Sequence, residues 1–220
     1  NGEEPIFRDN LTDNIQGQPV LDFSTGADRF DFADDATLNT GGAPYDEEEI
    51  IVVFRTGSNV ESFQILYEEG ATTTGISIYL EDNNSSTDGN GRIYFQTYDG
   101  NNIDGLVSGG PILPHTEYIA RLRFDANAGE VEGFLNERSL GVDNSGVGSL
   151  SNHGGSVSLG QAGDGTLDSS ANSVSASTTA FEGQIAELLA YNDQVLNDAE
   201  AFAVRTYLQA RYGINQGVSS

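Results

Sequence analysis

The chain has 220 residues, 37% of them hydrophobic, and nine Lys+Arg against 34 Asp+Glu give a formal net charge of −25. A field of that sign repels phosphate backbones and anionic lipid, which argues against nucleic acid and membrane surfaces as partners, and no run of about 18 apolar residues is present for membrane insertion. The acidity has two readings that can both hold: solubility in a salty medium, and partial cancellation by bound divalent cations.

The sequence begins at Asn1 and contains no Met, so we expect a monomeric module cut from a larger chain, with any signal peptide upstream. Cys is also absent. Secreted eukaryotic domains usually carry disulfides, so the absence leans towards a bacterial surface protein that gains rigidity from bound metal. No Pro- or Ser-rich linker divides the chain, and its length suits a single lectin-like β-sandwich over residues 1–220.

Residues 1–19 show little periodicity and read as an irregular lead-in or an edge strand. From Val20 onward, short apolar segments alternate with Gly, Asn and Asp clusters, as in a sandwich or barrel. Predicted strands cover Val20–Phe23, Arg29–Phe32, Glu49–Arg55, Phe63–Tyr67, Gly75–Glu81, Arg92–Tyr98, Glu117–Phe124, Glu130–Leu135, Ser156–Leu159 and Glu182–Tyr191. Alternation puts Ile76, Ile78 and Leu80 on one face, and Tyr118, Ala120, Leu122 and Phe124 on one face. Ile50–Phe54 is apolar without alternation, as expected of a strand covered on both sides, and Asp46–Glu49 reads as its solvated lead-in. Residues 125–129 read as a hairpin turn, and Gly160–Thr179 as a long loop. One helix is expected over 197–212, capped by Asn197 with Glu200 three residues later. Its stripe is Ala201, Val204, Leu208 and Tyr207, and Gly213 is its stop. The fold class is therefore all-β, a two-sheet antiparallel sandwich with one short C-terminal helix.

Several segments, in order, resemble the laminin-G-like, concanavalin-A-like jelly-roll family. They are Val20–Phe23 with Asp28–Phe32, the buried strand Ile50–Arg55, the hairpin strand Val131–Arg138, and the closing run Phe181–Tyr191 with the helix start Leu196–Glu200. The resemblance covers roughly Val20 to Gly213 and implies a jelly-roll sandwich; it implies little about activity, since one fold hosts many. Two departures stand out: Trp is absent, and Glu137-Arg138 follows Asn136 where the family has Gly. The bacterial branch of the family is often found in large surface adhesins, so an extracellular location on a bacterial surface is implied.

Three constellations could carry chemistry. Calcium takes several oxygen ligands at about 2.3–2.6 Å, and oxygen-rich connections supply them at Asp82, Asn84, Asp88 and Asn90, at Asp99, Asn101, Asn102 and Asp104, and at Asp164 with Asp168. The first two sets bracket one strand and should emerge at its opposite ends. The alternative is that Asp, Asn and Gly are simply turn residues. Next, Tyr94, Gln96 and Tyr98 point to one side of their strand, with Tyr79 on the outward side of its neighbour. Rings beside an amide suit sugar binding, although Tyr is also a good strand former. Finally, Arg121 and Arg123 could receive a ligand carboxylate or pair across the hairpin with Glu130 and Glu132.

Enzyme readings lack parts. The Glu-x-Asp-x-x-Glu string of sandwich glycan hydrolases does not occur, and His115 and His153 lack nucleophile or zinc spacing. The expectation is a calcium-dependent adhesive module binding a cell-surface glycan or a protein/peptide ligand. Its rivals are a structural spacer with calcium for rigidity alone, and a glycan-active enzyme.

Overall fold

The computed structural model describes residues 4–10, 12–23, 28–32, 44–81 and 90–214. The early strands are β1 (Ile6–Arg8), β2 (Val20–Asp22), β3 (Phe30–Phe32), β4 (Glu47–Thr56) and β5 (Gln64–Ala71). The middle of the chain forms β6 (Thr74–Glu81), β7 (Gly91–Asp99), β8 (Asn102–Ile112), β9 (Glu117–Asp125) and β10 (Glu130–Leu135). Then come β11 (Arg138–Asp143), β12 (Val157–Leu159), β13 (Thr166–Leu167), β14 (Ser173–Val174), β15 (Gly183–Asn192) and helix α1 (Asp198–Tyr212).

Two antiparallel sheets face each other. One has seven strands in the order β1-β2-β15-β4-β9-β10-β11, the other six in the order β3-β12-β5-β6-β7-β8, and β13-β14 is a small separate hairpin. Period-two alternation sorts each strand into an inward and an outward set. Ile50, Val52 and Phe54 of β4 and Ala120, Leu122 and Phe124 of β9 meet Ile76, Ile78 and Leu80 of β6 and Phe95 of β7 in one core. The sheets close tightly at β10, where a Cβ on Gly133 would lie 2.4 Å from the Phe95 ring.

Strand β4 is covered on both sides, as its unbroken apolar run implies. Its other face, Ile51 and Val53, forms a second cluster with Ile119 of β9 and with Leu208 and Tyr212 of α1. The helix is set by its ends. The Asn197 side chain accepts from Ala199 and Glu200 N–H, Glu200 completes the capping box, and Gly213 ends the helix in the left-handed region at φ 60°. Tyr207 is 44% exposed, however, and Tyr212 takes the buried position instead.

Several expectations need correcting. Of the two readings for residues 1–19, the edge strand holds at β1, whereas β8, β11 and the hairpin β13–β14 were not anticipated; β8 and β11 have glycines and polar residues that weaken the apolar alternation. Glu48 and Glu49 are not a solvated lead-in but buried members of β4. His153 is buried, with its Nε2 3.7 Å from Glu69. At the β10–β11 turn, Asn136 (φ 49°) and Glu137 (φ 68°) are both left-handed. That geometry favours Asn-Gly, so Glu137 occupies its position under backbone strain.

Candidate functional site

A cleft of about 570 Å³ opens on the outer face of the seven-stranded sheet, where α1 begins. Arg121 and Arg123 of β9 and Glu132 and Phe134 of β10 make its floor; Val195, Leu196, Asn197, Asp198 and Ala201 make its wall. The register sets Phe134 directly opposite Arg121 and Glu132 opposite Arg123. The Arg121 guanidinium lies over the Phe134 ring, 3.6 Å from its centroid. Such a pair is a flat platform, apolar in its ring and cationic in its guanidinium.

Glu49 organises the floor and joins it to the wall. It is fully buried; one oxygen accepts from Arg121 Nη1 at 2.9 Å and the other from the Leu196 N–H at 2.9 Å. Arg123 is bound by Glu130 and by Asp125. The expected pairing across the hairpin therefore holds for Arg123 with Glu130. Arg121 instead turns to Glu49 on β4, and Glu132 accepts from Ser139 Oγ at 2.7 Å. Nearby, burial pushes the Glu137 carboxyl up, against the opposing pull of Arg121 and Arg205.

The tyrosine face is closed, which corrects the expectation of an open surface. Tyr79, Tyr94, Gln96 and Tyr98 do share the outer side of the six-stranded sheet, but all are buried. Tyr79 and Tyr94 stack with centroids 5.0 Å apart and planes 4° apart, and Phe63 stacks on Tyr79 at 4.7 Å. Tyr79 donates to Gln96 Oε1 at 2.7 Å, and Thr166 Oγ1 lies 3.4 Å from the Tyr98 hydroxyl. Buried Ala162 packs against Tyr79 and Tyr94, and Gln96 Nε2 reaches the Leu167 carbonyl at 3.5 Å. The Gly- and Ser-rich segment read as a loop thus lies over this face.

The oxygen-rich connections have turn roles. Asp99 and Asn102 flank a two-residue turn with Gly100 at φ 59° and Asn101 at φ 64°, so Asn102 and Asp104 belong to β8 and not to a loop. Asp99 accepts from Thr74 Oγ1, Ser151 Oγ and the Gly100 N–H. Burial opposes its charge, but those hydrogen bonds outweigh it and hold the carboxyl below its usual range. Asp104 is shifted the other way, by burial and then by the charge of Asp99. Asp164 accepts from the Ser156 N–H, and Asp168 from Ser170 and Asn172. Asn90 immediately precedes β7; Asp82, Asn84 and Asp88 lie outside the described residues. Among the described residues, no group of three or more His, Asp or Glu is disposed to hold a metal ion.

Phe134 was not singled out from the sequence, and Glu132 and Asn197 were read there only as an ion-pair partner and a helix cap. A signal for Phe134 was present: it is an aromatic residue on the parity of Glu130 and Glu132, opposite to the core parity of Val131 and Leu135.

No protein-family model and no curated protein matches the sequence. Solved structures do match it. The CBM40 of the Ruminococcus gnavus IT-sialidase, bound to α2,3-sialyllactose, has a TM-score of 0.57 at 17% identity over 84% of this chain and 96% of that one. Domain 4 of AbnA, a GH43 extracellular arabinanase from Geobacillus stearothermophilus, in complex with arabinotriose, has a TM-score of 0.55 at 16% identity over 93% of this chain and 85% of that one. The native heptameric SAP-like pentraxin of Limulus polyphemus has a TM-score of 0.50 at 16% identity over 70% and 67%. The chain is a jelly-roll sandwich. At these identities the shared property is the fold, and a jelly-roll's ligand is decided by its own residues.

Proposed function

We propose that this jelly-roll is a glycan-binding module that takes its ligand in the cleft between α1 and the β9–β10 hairpin. The observation that carries the reading is the Arg121–Phe134 stack on the floor of an open cleft of saccharide size. Sugar C–H faces pack on such a platform while hydroxyls meet the polar rim. The two bacterial modules of similar fold, with sialyllactose and arabinotriose bound, lend support. The setting we propose is a bacterial cell surface, where an acidic, Cys-free module would serve adhesion as one monomeric part of a larger chain.

The test is a glycan array followed by titration calorimetry with Phe134→Ala. Removing a central aromatic should weaken binding by about 1–3 kcal/mol with the fold intact by circular dichroism. Unchanged affinity moves the site elsewhere, and no glycan binding in any arm leaves the spacer reading.

Calcium is a second element of the proposal, favoured by Asp104, whose carboxyl is raised by burial and by the like charge of Asp99. A divalent cation bound beside Asp104 would relieve that repulsion.

A further inference from the structure

The cleft's charges, taken one by one, say which sugars it accepts. Arg121 and Arg123 are two of only nine cationic side chains in the protein. Their charge is already matched: Arg121 by buried Glu49, and Arg123 by Glu130 and Asp125. Glu132 on the floor and Asp198 on the wall are added to these, so two guanidinium groups face five carboxylates. Among the described residues, the second oxygen of Glu132 and the carboxylate of Asp198 have no hydrogen-bond partner. The free charged groups exposed at the rim are therefore carboxylates, beside the Asn197 amide and a buried, unpartnered Arg121 Nε.

A rim with surplus negative charge favours donors. Sugar hydroxyls donate, and a protonated amine donates with favourable charge. A ligand carboxylate offers only acceptors and meets like charge at short range, within a protein whose formal net charge is −25. A ligand carboxylate drawn to Arg121 would compete with buried Glu49 for the same guanidinium charge.

We infer that the cleft selects saccharides that are uncharged or carry an amine, and excludes sialic- and uronic-acid-bearing glycans. The inference rests on the glycan-binding reading of this cleft. It sets this jelly-roll apart in ligand chemistry from the similar module bound to sialyllactose.

The test uses matched probes on the intact protein: lactose against 3′-sialyllactose, a neutral pentose or hexose trisaccharide against trigalacturonate, and fully deacetylated chitotriose. At low salt, a neutral or amine-bearing probe that binds should do so at least about tenfold more tightly than its acidic counterpart, a gap between the values for one close like-charge contact in bulk water and near a protein surface. The gap should narrow as salt is added. In the double variant Glu132→Gln/Asp198→Asn it should shrink in low salt as well. An acidic probe binding the native protein as tightly as its neutral partner overturns the selectivity and leaves the glycan reading standing. Absence of binding by every probe overturns both.

Discussion

Tyr67 donates its phenolic hydrogen to Glu69 across 2.6 Å, inside one end of the sandwich. Tyr45 donates to the other oxygen of Glu69 at 3.2 Å, the His153 Nε2 lies 3.7 Å from it, and the fully buried Glu48 carboxyl on β4 feels its charge. Burial, then the charge of Glu69, pushes the Glu48 carboxyl well above its ordinary value. A buried carboxyl beside a second carboxyl ionises at a cost, so Glu48 holds its proton to higher pH than an exposed glutamate.

The sign of the consequence follows from proton counting. Between the ordinary carboxylate pKa and the raised folded one, the native state holds more protons than the unfolded chain, so stability falls as pH rises. The contribution is fully present below about pH 4.3 and is lost as pH climbs through the folded value. Glu48→Gln keeps a donor facing Glu69 and removes the titration. Within that window, the native protein should lose up to about 1.4 kcal/mol per pH unit relative to the variant. Melting curves from pH 5 to 8 check this; parallel curves for the two proteins would refute the raised Glu48 carboxyl.

Gly133 joins the binding strand β10 to the core. Its Cβ position lies 2.4 Å from Phe95, which has no free space to retreat into because it is fully buried. Gly133→Ala should destabilise the fold by about 1–3 kcal/mol through overpacking, read as a drop in denaturation midpoint at unchanged slope.

Tyr79→Phe separates a buried role from a ligand-contacting one. It removes the hydrogen bond to Gln96 Oε1 and should cost about 1–3 kcal/mol of stability, with glycan affinity unchanged. A loss of affinity at unchanged stability would restore the tyrosine face as a binding surface.

For calcium, the expected result is a rise in melting temperature. At ten times the dissociation constant, a ligand of the native state alone adds about 1.4 kcal/mol, or about 3–6 °C for a domain of this size. The rise should disappear in Asp104→Asn. Identical melting in EDTA and in 10 mM calcium removes the ion from the account.

Much of the architecture was legible because alternation is a local property. The core faces of β6 and β9 follow from residue parity alone, and α1 carries both stop signs in its own text, Asn197 with Glu200 and then Gly213. The β8 strand was hidden by its glycines and by an Asp-Gly-Asn-Asn run that reads equally well as a cation loop and as the tight turn it forms.

Parity groups side chains on a face but carries no information about what lies over that face. The grouping of Tyr79, Tyr94, Gln96 and Tyr98 is local; their burial depends on a segment some 80 residues downstream in the chain packing back onto the sheet. In the same way, Arg121 could have met Glu130, Glu132 or a ligand. Only the placement of β4 beside β9 brought it Glu49, and only the docking of α1 left Phe134 beside an open cleft. Local sequence thus determined the strands, their faces and the helix ends, while long-range packing decided which face is covered and which can meet a ligand, because burial is a relation between segments distant in sequence.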